Sequence, residues 1–168
     1  SGWSVSNIGD VNKDGYGDII IGAYSASSNS KQFTGQSYMI FGKAGGFVTP
    51  LELSSLDGVN GFAINGINAN DKSGASVSGA GDVNGDGFDD VVIDSDSYMV
   101  SYSYVIFGRA GSFVTPLELS SLDGVNGFAI NVINIEDRSG ASVSGAGDVN
   151  GDGVDDIIIG IYEISPNG

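Results

Sequence analysis

Residues 43–94 recur as residues 109–160 with 42 of 52 positions unchanged, at an offset of 66. Phe47–Asn65 returns without a change as Phe113–Asn131, and Ser73–Gly87 returns as Ser139–Gly153. An earlier copy aligns at an offset of 72, with Asp10 on Asp82. Self-similarity at such a period restricts the fold to architectures that stack equivalent units, because one unit cannot bury its apolar face alone. The chain divides into units at residues 1–72 and 73–138, with residues 139–168 forming the first part of a third.

Each unit carries one nine-residue acidic segment: DVNKDGYGD at 10–18, DVNGDGFDD at 82–90 and DVNGDGVDD at 148–156. Together they hold 11 of the 21 acidic residues, so the net charge of −15 is concentrated in three places. Each segment sets carboxylates at positions 1, 5 and 9, an asparagine at 3 and a glycine at 6. Oxygen donors alternating around a glycine turn, with a backbone carbonyl at position 7, suit a hard cation such as Ca²⁺. The expected ligands are Asp10, Asn12, Asp14, the Tyr16 carbonyl and Asp18 in the first loop. In the second they are Asp82, Asn84, Asp86, the Phe88 carbonyl and Asp90, and in the third Asp148, Asn150, Asp152, the Val154 carbonyl and Asp156. Three calcium ions are expected.

An EF-hand would need an acid at position 12, followed by a helix. That position is Ile21, Ile93 or Ile159, inside β-branched runs that read as buried strands, and a dockerin-type loop fails on the same residue. The competing reading is a solvated turn, since Asp, Asn and Gly favour turns without any metal. Three copies of the same ligand types argue against it, as does the repulsion among carboxylates gathered in one turn. Asp89 and Asp155, at position 8, are expected to point away from the cation. Lys13, at position 4 of the first loop, is expected to face solvent.

Four strand-like stretches recur in each unit. They are a small-residue alternating stretch (Trp3–Ile8, Ala75–Ala80), the run after the acidic loop (Asp90–Ile93), Ser37–Gly42 with Ser103–Gly108, and Phe62–Ile67 with Phe128–Ile133. Thr49–Gly58 reads as an extended piece ending in a turn near Ser54–Asp57. The expected fold is all-β, built of antiparallel four-stranded blades of a β-propeller, here about two and a half blades of an incomplete ring. Small residues in the first strand fit a crowded axis. Solenoid units are shorter and carry fewer strands.

Phe41-Gly42 and Phe107-Gly108, Gly22-Ala23-Tyr24, and the intervening Asp-x-Asn-x-Asp-Gly-x-x-Asp together resemble the FG-GAP repeat. This repeat builds the propeller head of integrin α subunits and occurs in many bacterial extracellular proteins. The resemblance covers nearly all of the chain and implies calcium in the hairpin between the first and second strands of a blade. Unit two departs from the pattern with Asp94-Ser95-Asp96 in place of Gly22-Ala23-Tyr24, and its second hairpin is six residues shorter.

Composition removes several function classes. An excess of 21 acids over 6 bases leaves no basic footprint for nucleic acid or an anionic membrane surface. The absence of histidine and cysteine excludes Ser-His triads, thiol nucleophiles and the usual zinc or haem sites. No apolar run approaches the ~20 residues of a membrane helix, so membrane insertion is not expected. Carboxylates that could serve glycoside chemistry occur only inside the metal loops, and the chain is expected not to be an enzyme.

Trp3, Tyr38, Phe62, Tyr104 and Phe128 recur as blade-core positions rather than as a carbohydrate-stacking surface. Tyr98, Met99, Tyr102 and Tyr104 could line an exposed edge of unit two. The favoured function is a calcium-stabilised propeller segment of an extracellular adhesion or ligand-binding protein, with a protein or polysaccharide ligand. A self-assembling structural repeat, with homo-oligomer contacts or further repeats of the parent chain, is the first alternative. An accessory propeller of a secreted hydrolase or lyase is the second.

Overall fold

The computed structural model of the chain describes residues 1–97, 102–131 and 137–163. Its elements are almost entirely strands, in three sheets that follow the repeat and are antiparallel apart from one short parallel pair. Unit one forms β1 (Ser4–Asn7), β2 (Ile19–Ala23), β3 (Gln36–Ile40) and β4 (Gly61–Asn65). Unit two forms β5 (Ser73–Gly81), β6 (Asp90–Ser95), β7 (Tyr102–Ile106) and, beyond β8 (Leu117–Glu118), β9 (Gly127–Asn131). The third supplies β10 (Asp137–Gly147) paired with β11 (Asp156–Glu163). In units one and two the strands pair in sequence order, each antiparallel to the last, as blades require. Tyr98, Met99 and Ile133 lie outside the described residues.

The apolar cores lie between units, not within them. On β6, Val91 and Ile93 face unit one, while Val92, of opposite parity, faces unit three. The first core joins Ile8, Val11, Ile20, Met39, Phe41, Phe62 and Ile64 of unit one to Val77, Val91, Ile93, Tyr104, Ile106 and Phe113 of unit two. The second joins Ala80, Val92 and Val105 of unit two to Val143 of unit three. Burial on both faces explains why β6 reads as an unbroken β-branched run.

The first strands β1, β5 and β10 run side by side through the units. This crowding accounts for their small residues. A Cβ on Gly79 would sit 3.0 Å from Ile8 Cα, and one on Gly145 would sit 2.8 Å from the Gly79 carbonyl oxygen.

One connection is absent from the sequence-based reading. The segment after the third strand of unit two crosses to the outer strand of unit one, where β8 pairs parallel with β4 through Ile64–Leu117 and Asn65–Glu118. Thr115 Oγ1 accepts the Ala63 N–H at 3.1 Å, and Glu118 accepts the side-chain amides of Asn65 (2.8 Å) and Asn29 (3.0 Å). Phe113 rides on this arm and stacks on Phe62 with ring centroids 4.5 Å apart. The expected turn near Ser54–Asp57 is a short 3-10 turn at Leu53–Ser55.

The aromatic expectations divide. Phe62 and Tyr104 are buried, so Tyr104 belongs to no exposed edge, and Tyr102 is only partly buried. Trp3 is 67% exposed and packs against Tyr24, and Phe128 is also exposed. Repeat position alone does not bury an aromatic, because the burying surface comes from a neighbouring unit.

Candidate metal centre

Each acidic loop joins the first strand of a unit to its second, and a strand follows at once. The loop leaves the sheet through a glycine with positive φ (Gly9, Gly81, Gly147) and turns again at the glycine of position 6 (Gly15, Gly87, Gly153). In the first loop the Asp10 carboxylate accepts the N–H groups of Asp14 (3.0 Å) and Gly15 (2.8 Å). Asn12 Oδ1 accepts the Asp14 N–H at 3.0 Å, and Asp14 Oδ1 accepts the Tyr16 N–H at 3.0 Å. The second loop repeats every bond: Asp82 accepts the N–H groups of Asp86 and Gly87, Asn84 Oδ1 accepts that of Asp86, and Asp86 Oδ1 accepts that of Phe88. In the third, Asp148 accepts the N–H groups of Gly151, Asp152 and Gly153, which hold its carboxyl below the usual range, Gly153 foremost.

The structure thus brings positions 1, 3 and 5 into one turn in all three loops, with their oxygens drawn in by the loop's own amides. Position 9 is placed differently. Asp18 is buried, and its oxygens accept the N–H groups of Val11 (2.9 Å) and Gly42 (2.8 Å). Asp90 is likewise buried and accepts from Val83 (2.9 Å) and Gly108 (2.8 Å). The glycine of each Phe-Gly pair therefore has a stated duty: its N–H fixes the ninth residue of its own unit's loop. A side chain there would also collide with the loop backbone, at Gly17 for Gly42 and at Asp89 for Gly108. Asp156 is only partly buried and accepts the Val149 N–H at 2.9 Å, with the Asn150 amide at 3.5 Å.

Burial pushes Asp18 and Asp90 up to about 6, against the lowering effect of those amides. The charges at Asp14 and Asp10 add to the rise at Asp18, and those at Asp86 and Asp82 to the rise at Asp90. The carboxylates of a loop therefore feel one another across the turn. Among the described residues, no three acidic side chains lie close enough together to hold a metal ion as they stand. The donor chemistry nevertheless fits a hard divalent cation. The set is all oxygen, the charge is crowded, and a carboxylate oxygen bound to one N–H keeps a lone pair.

Two residues set aside in the sequence occupy places the sequence did not suggest. Asp89 Oδ2 accepts the backbone N–H of Asp10 in the preceding loop at 2.7 Å, and Asp155 Oδ2 accepts that of Asp82 at 2.9 Å. Lys13 is exposed, as expected, and its ammonium also lies 5.1 Å from the centroid of the Phe88 ring in the next loop. The available signal was the pairing of an acid at position 8 with a glycine before position 1 of the previous loop. Only the packing of consecutive units connects the two.

The FG-GAP repeat family matches residues 1–39. The chain is 32% identical over 172 aligned residues to integrin alpha pat-2 of Caenorhabditis elegans, covering 96% of this chain and 13% of that protein. It is 27% identical to integrin alpha-2 of Bos taurus over 156 residues, 91% of this chain and 12% of that protein. The chain thus spans about an eighth of the length of these curated relatives.

Proposed function

This chain is a segment of FG-GAP, integrin-like repeats, and from that premise we propose that it serves as a calcium-stabilised propeller segment of an extracellular adhesion or ligand-binding protein. The observation that carries the reading is the threefold loop, with oxygen donors at positions 1, 3 and 5 drawn into one turn and, in the first two loops, a buried carboxylate at position 9. In the first loop, Asp10, Asn12, Asp14, the Tyr16 carbonyl and Asp18 would hold the ion, and the equivalent residues would do so in the other two. Calcium supplies neutralisation of crowded charge, a structural contribution.

The chain's own residues do the rest. The Phe-Gly amide orients position 9, the loop amides orient positions 1, 3 and 5, and the inter-unit cores bury the strands behind the loops. The reading includes no catalytic role. Ligands of such a protein would be proteins or polysaccharides, met on loops rather than on the metal sites. No helix among the described residues is long and apolar enough to cross a membrane.

With free Ca²⁺ at ~1 mM and a Kd of ~0.1 mM, each site stabilises the fold by about 1.4 kcal/mol. Three sites give ~4 kcal/mol, a large share of a domain's ~5–15 kcal/mol. Melting in millimolar Ca²⁺ is therefore expected to lie on the order of 10 °C above melting in EDTA. Equal melting temperatures would remove the calcium reading.

One further observation favours assembly as a second reading. Val5 and Ile19 on the outer face of unit one are exposed, whereas Val77 and Val91 at the same positions of unit two are buried. At the other end Val149 and Ile158 are exposed, whereas Val11 and Ile20 are buried. The two faces are the two halves of one inter-unit interface, so head-to-tail contact between copies, or with further units, would cover both. Light scattering across a concentration series tests this, and a mass fixed at one chain counts against contact between copies.

A further inference from the structure

We infer that Asp89 and Asp155 are positioning residues for the metal loop of the unit before their own, so that each loop is completed by its successor. The functional half of this inference rests on the calcium reading above. The structural half does not.

The contact is the same twice. The position-8 carboxylate of one unit reaches back and accepts the N–H of the first ligand residue of the preceding loop, Asp89 from Asp10 and Asp155 from Asp82. A Cβ on Gly9 would collide with the Asp89 carboxylate, and one on Gly81 with that of Asp155, so the glycine before each loop leaves the room the acid fills. Neighbouring bonds follow the same direction. Asp155 N–H donates to the Asp82 carbonyl at 3.0 Å, and Arg109 N–H donates to the Val11 carbonyl at 3.0 Å. Position 7 of one loop also lies over position 4 of the loop before it, as Phe88 over Lys13 and as Val154 beside Gly85.

The third loop provides a comparison within the same molecule. Nothing lies within 4 Å of a Cβ placed on Gly147, and among the described residues no carboxylate approaches the Asp148 N–H. Loops two and three have identical sequences apart from position 7, whereas loops one and two differ at positions 4, 7 and 8. Yet loops one and two share one network, with the Asn12 and Asn84 amides donating to Asp14 and Asp86 at 2.9 Å. In loop three the Asn150 amide turns to Asp156 instead, and Asp148 takes an extra N–H from Gly151. The network follows the neighbouring unit rather than the loop's own residues.

Among the described residues, loop three has neither a reaching carboxylate nor a Phe-Gly amide on Asp156, and substitution separates the two. A hydrogen bond from a backbone amide to a carboxylate fixes the peptide that carries the first ligand. Holding that peptide in place before an ion arrives lowers the ordering cost of binding. Gly17 stands at position 8 of unit one, so unit one has no such carboxylate to offer a neighbour on its other side.

The test uses ¹⁵N–¹H spectra of the whole chain with CaCl₂ as the probe, reading Gly15, Gly87 and Gly153 as separate reporters of the three loops. Asp89→Ala is expected to weaken the calcium response of Gly15 about tenfold while Gly87, in the mutated loop, stays within about twofold. Asp155→Ala is expected to weaken Gly87 and spare Gly15 and Gly153. Asp89→Asn and Asp155→Asn, which keep an acceptor oxygen, are expected to fall between. An effect confined to the substituted residue's own loop, or one spread equally over all three, overturns the inference.

Hydrogen exchange without calcium tests the structural half. Exchange of the Asp10 amide is expected to speed up about tenfold in Asp89→Ala, and unchanged exchange overturns the contact. If no glycine of the wild-type chain responds to calcium while the Asp10 amide still loses protection, the calcium reading fails and the contact between units stands. A variant that loses peak dispersion throughout is replaced by its Asn counterpart, whose Gly15 response decides in the same way.

Discussion

Phe47 and Phe113 stand at the same place in two copies of an identical 19-residue stretch, and their truncations are expected to have very different costs. Phe113 is 7% exposed, stacked on Phe62 at 4.5 Å and tilted against Phe41 at 5.5 Å. Phe47 is 51% exposed, with the Lys43 ammonium 5.2 Å from its ring centroid. Truncating a buried phenylalanine costs about 3–5 kcal/mol, the transfer free energy plus the cavity left behind. At Phe47 the loss is part of one exposed ring and a surface cation–π contact, about 0.5–1 kcal/mol. Phe113→Ala is therefore expected to be the worse by about 2–4.5 kcal/mol, or roughly 4–18 °C in melting temperature for a chain of this size. Urea unfolding followed by circular dichroism on both variants, with thermal melts alongside, measures the difference. Costs equal within about 0.5 kcal/mol would refute the arm from unit two as a contributor to the core of unit one.

The glycines before the loops allow a similar comparison. Gly81 and Gly147 have φ of +71° and +67°, so an alanine strains both backbones alike, by about 1 kcal/mol. Only at Gly81 does the new Cβ meet the Asp155 carboxylate, so Gly81→Ala is expected to cost a further ~1–3 kcal/mol in urea unfolding. Asp94 is fully buried, and Oδ1 accepts from Ser95 N–H and Ser103 Oγ while Oδ2 has no partner among the described residues. Burial pushes it up to about 7, so the fold keeps a proton that the unfolded chain loses near 4, and stability falls as pH rises from ~4 to ~7. Asp94→Asn removes that slope at the cost of an unpaired amide N–H, and is expected to be ~1–2 kcal/mol more stable than wild type at pH 8, with the gain gone at pH 5. A less stable variant at pH 8 refutes the argument. Asp18 and Asp90, held near 6, must lose their protons to take part in a cation site. The rise in melting temperature on adding calcium is expected to be full at pH 7.5 and much reduced at pH 5, and a pH-independent rise would exclude them as ligands.

The strand order was legible because period-two alternation and β-branched runs are local signals, and each was written two or three times. The antiparallel pairing of β1 through β4, and of β5, β6, β7 and β9, follows the order in which such runs come along the chain. The loop positions 1, 3 and 5 were legible for the same reason, since their geometry is closed by amides of the same nine residues. Position 9 was only half legible: its spacing is local, but the Gly42 and Gly108 amides that hold it come from 24 and 18 residues away. Asp89, Asp155, Lys13 and Phe113 were not legible in their roles, because each acts on a unit other than its own.

What the sequence determined by itself was the unit: its strands, its turn glycines and a loop of oxygen donors, all set by contacts within a few residues. What only the tertiary structure decided was which copy of a repeated residue is buried, which carboxylate completes which loop, and which segment covers which edge. Identical stretches receive different environments because the burying surface of each unit belongs to its neighbour. A side chain's fate in this chain therefore depends on the residues 66 or 72 positions away as much as on its own.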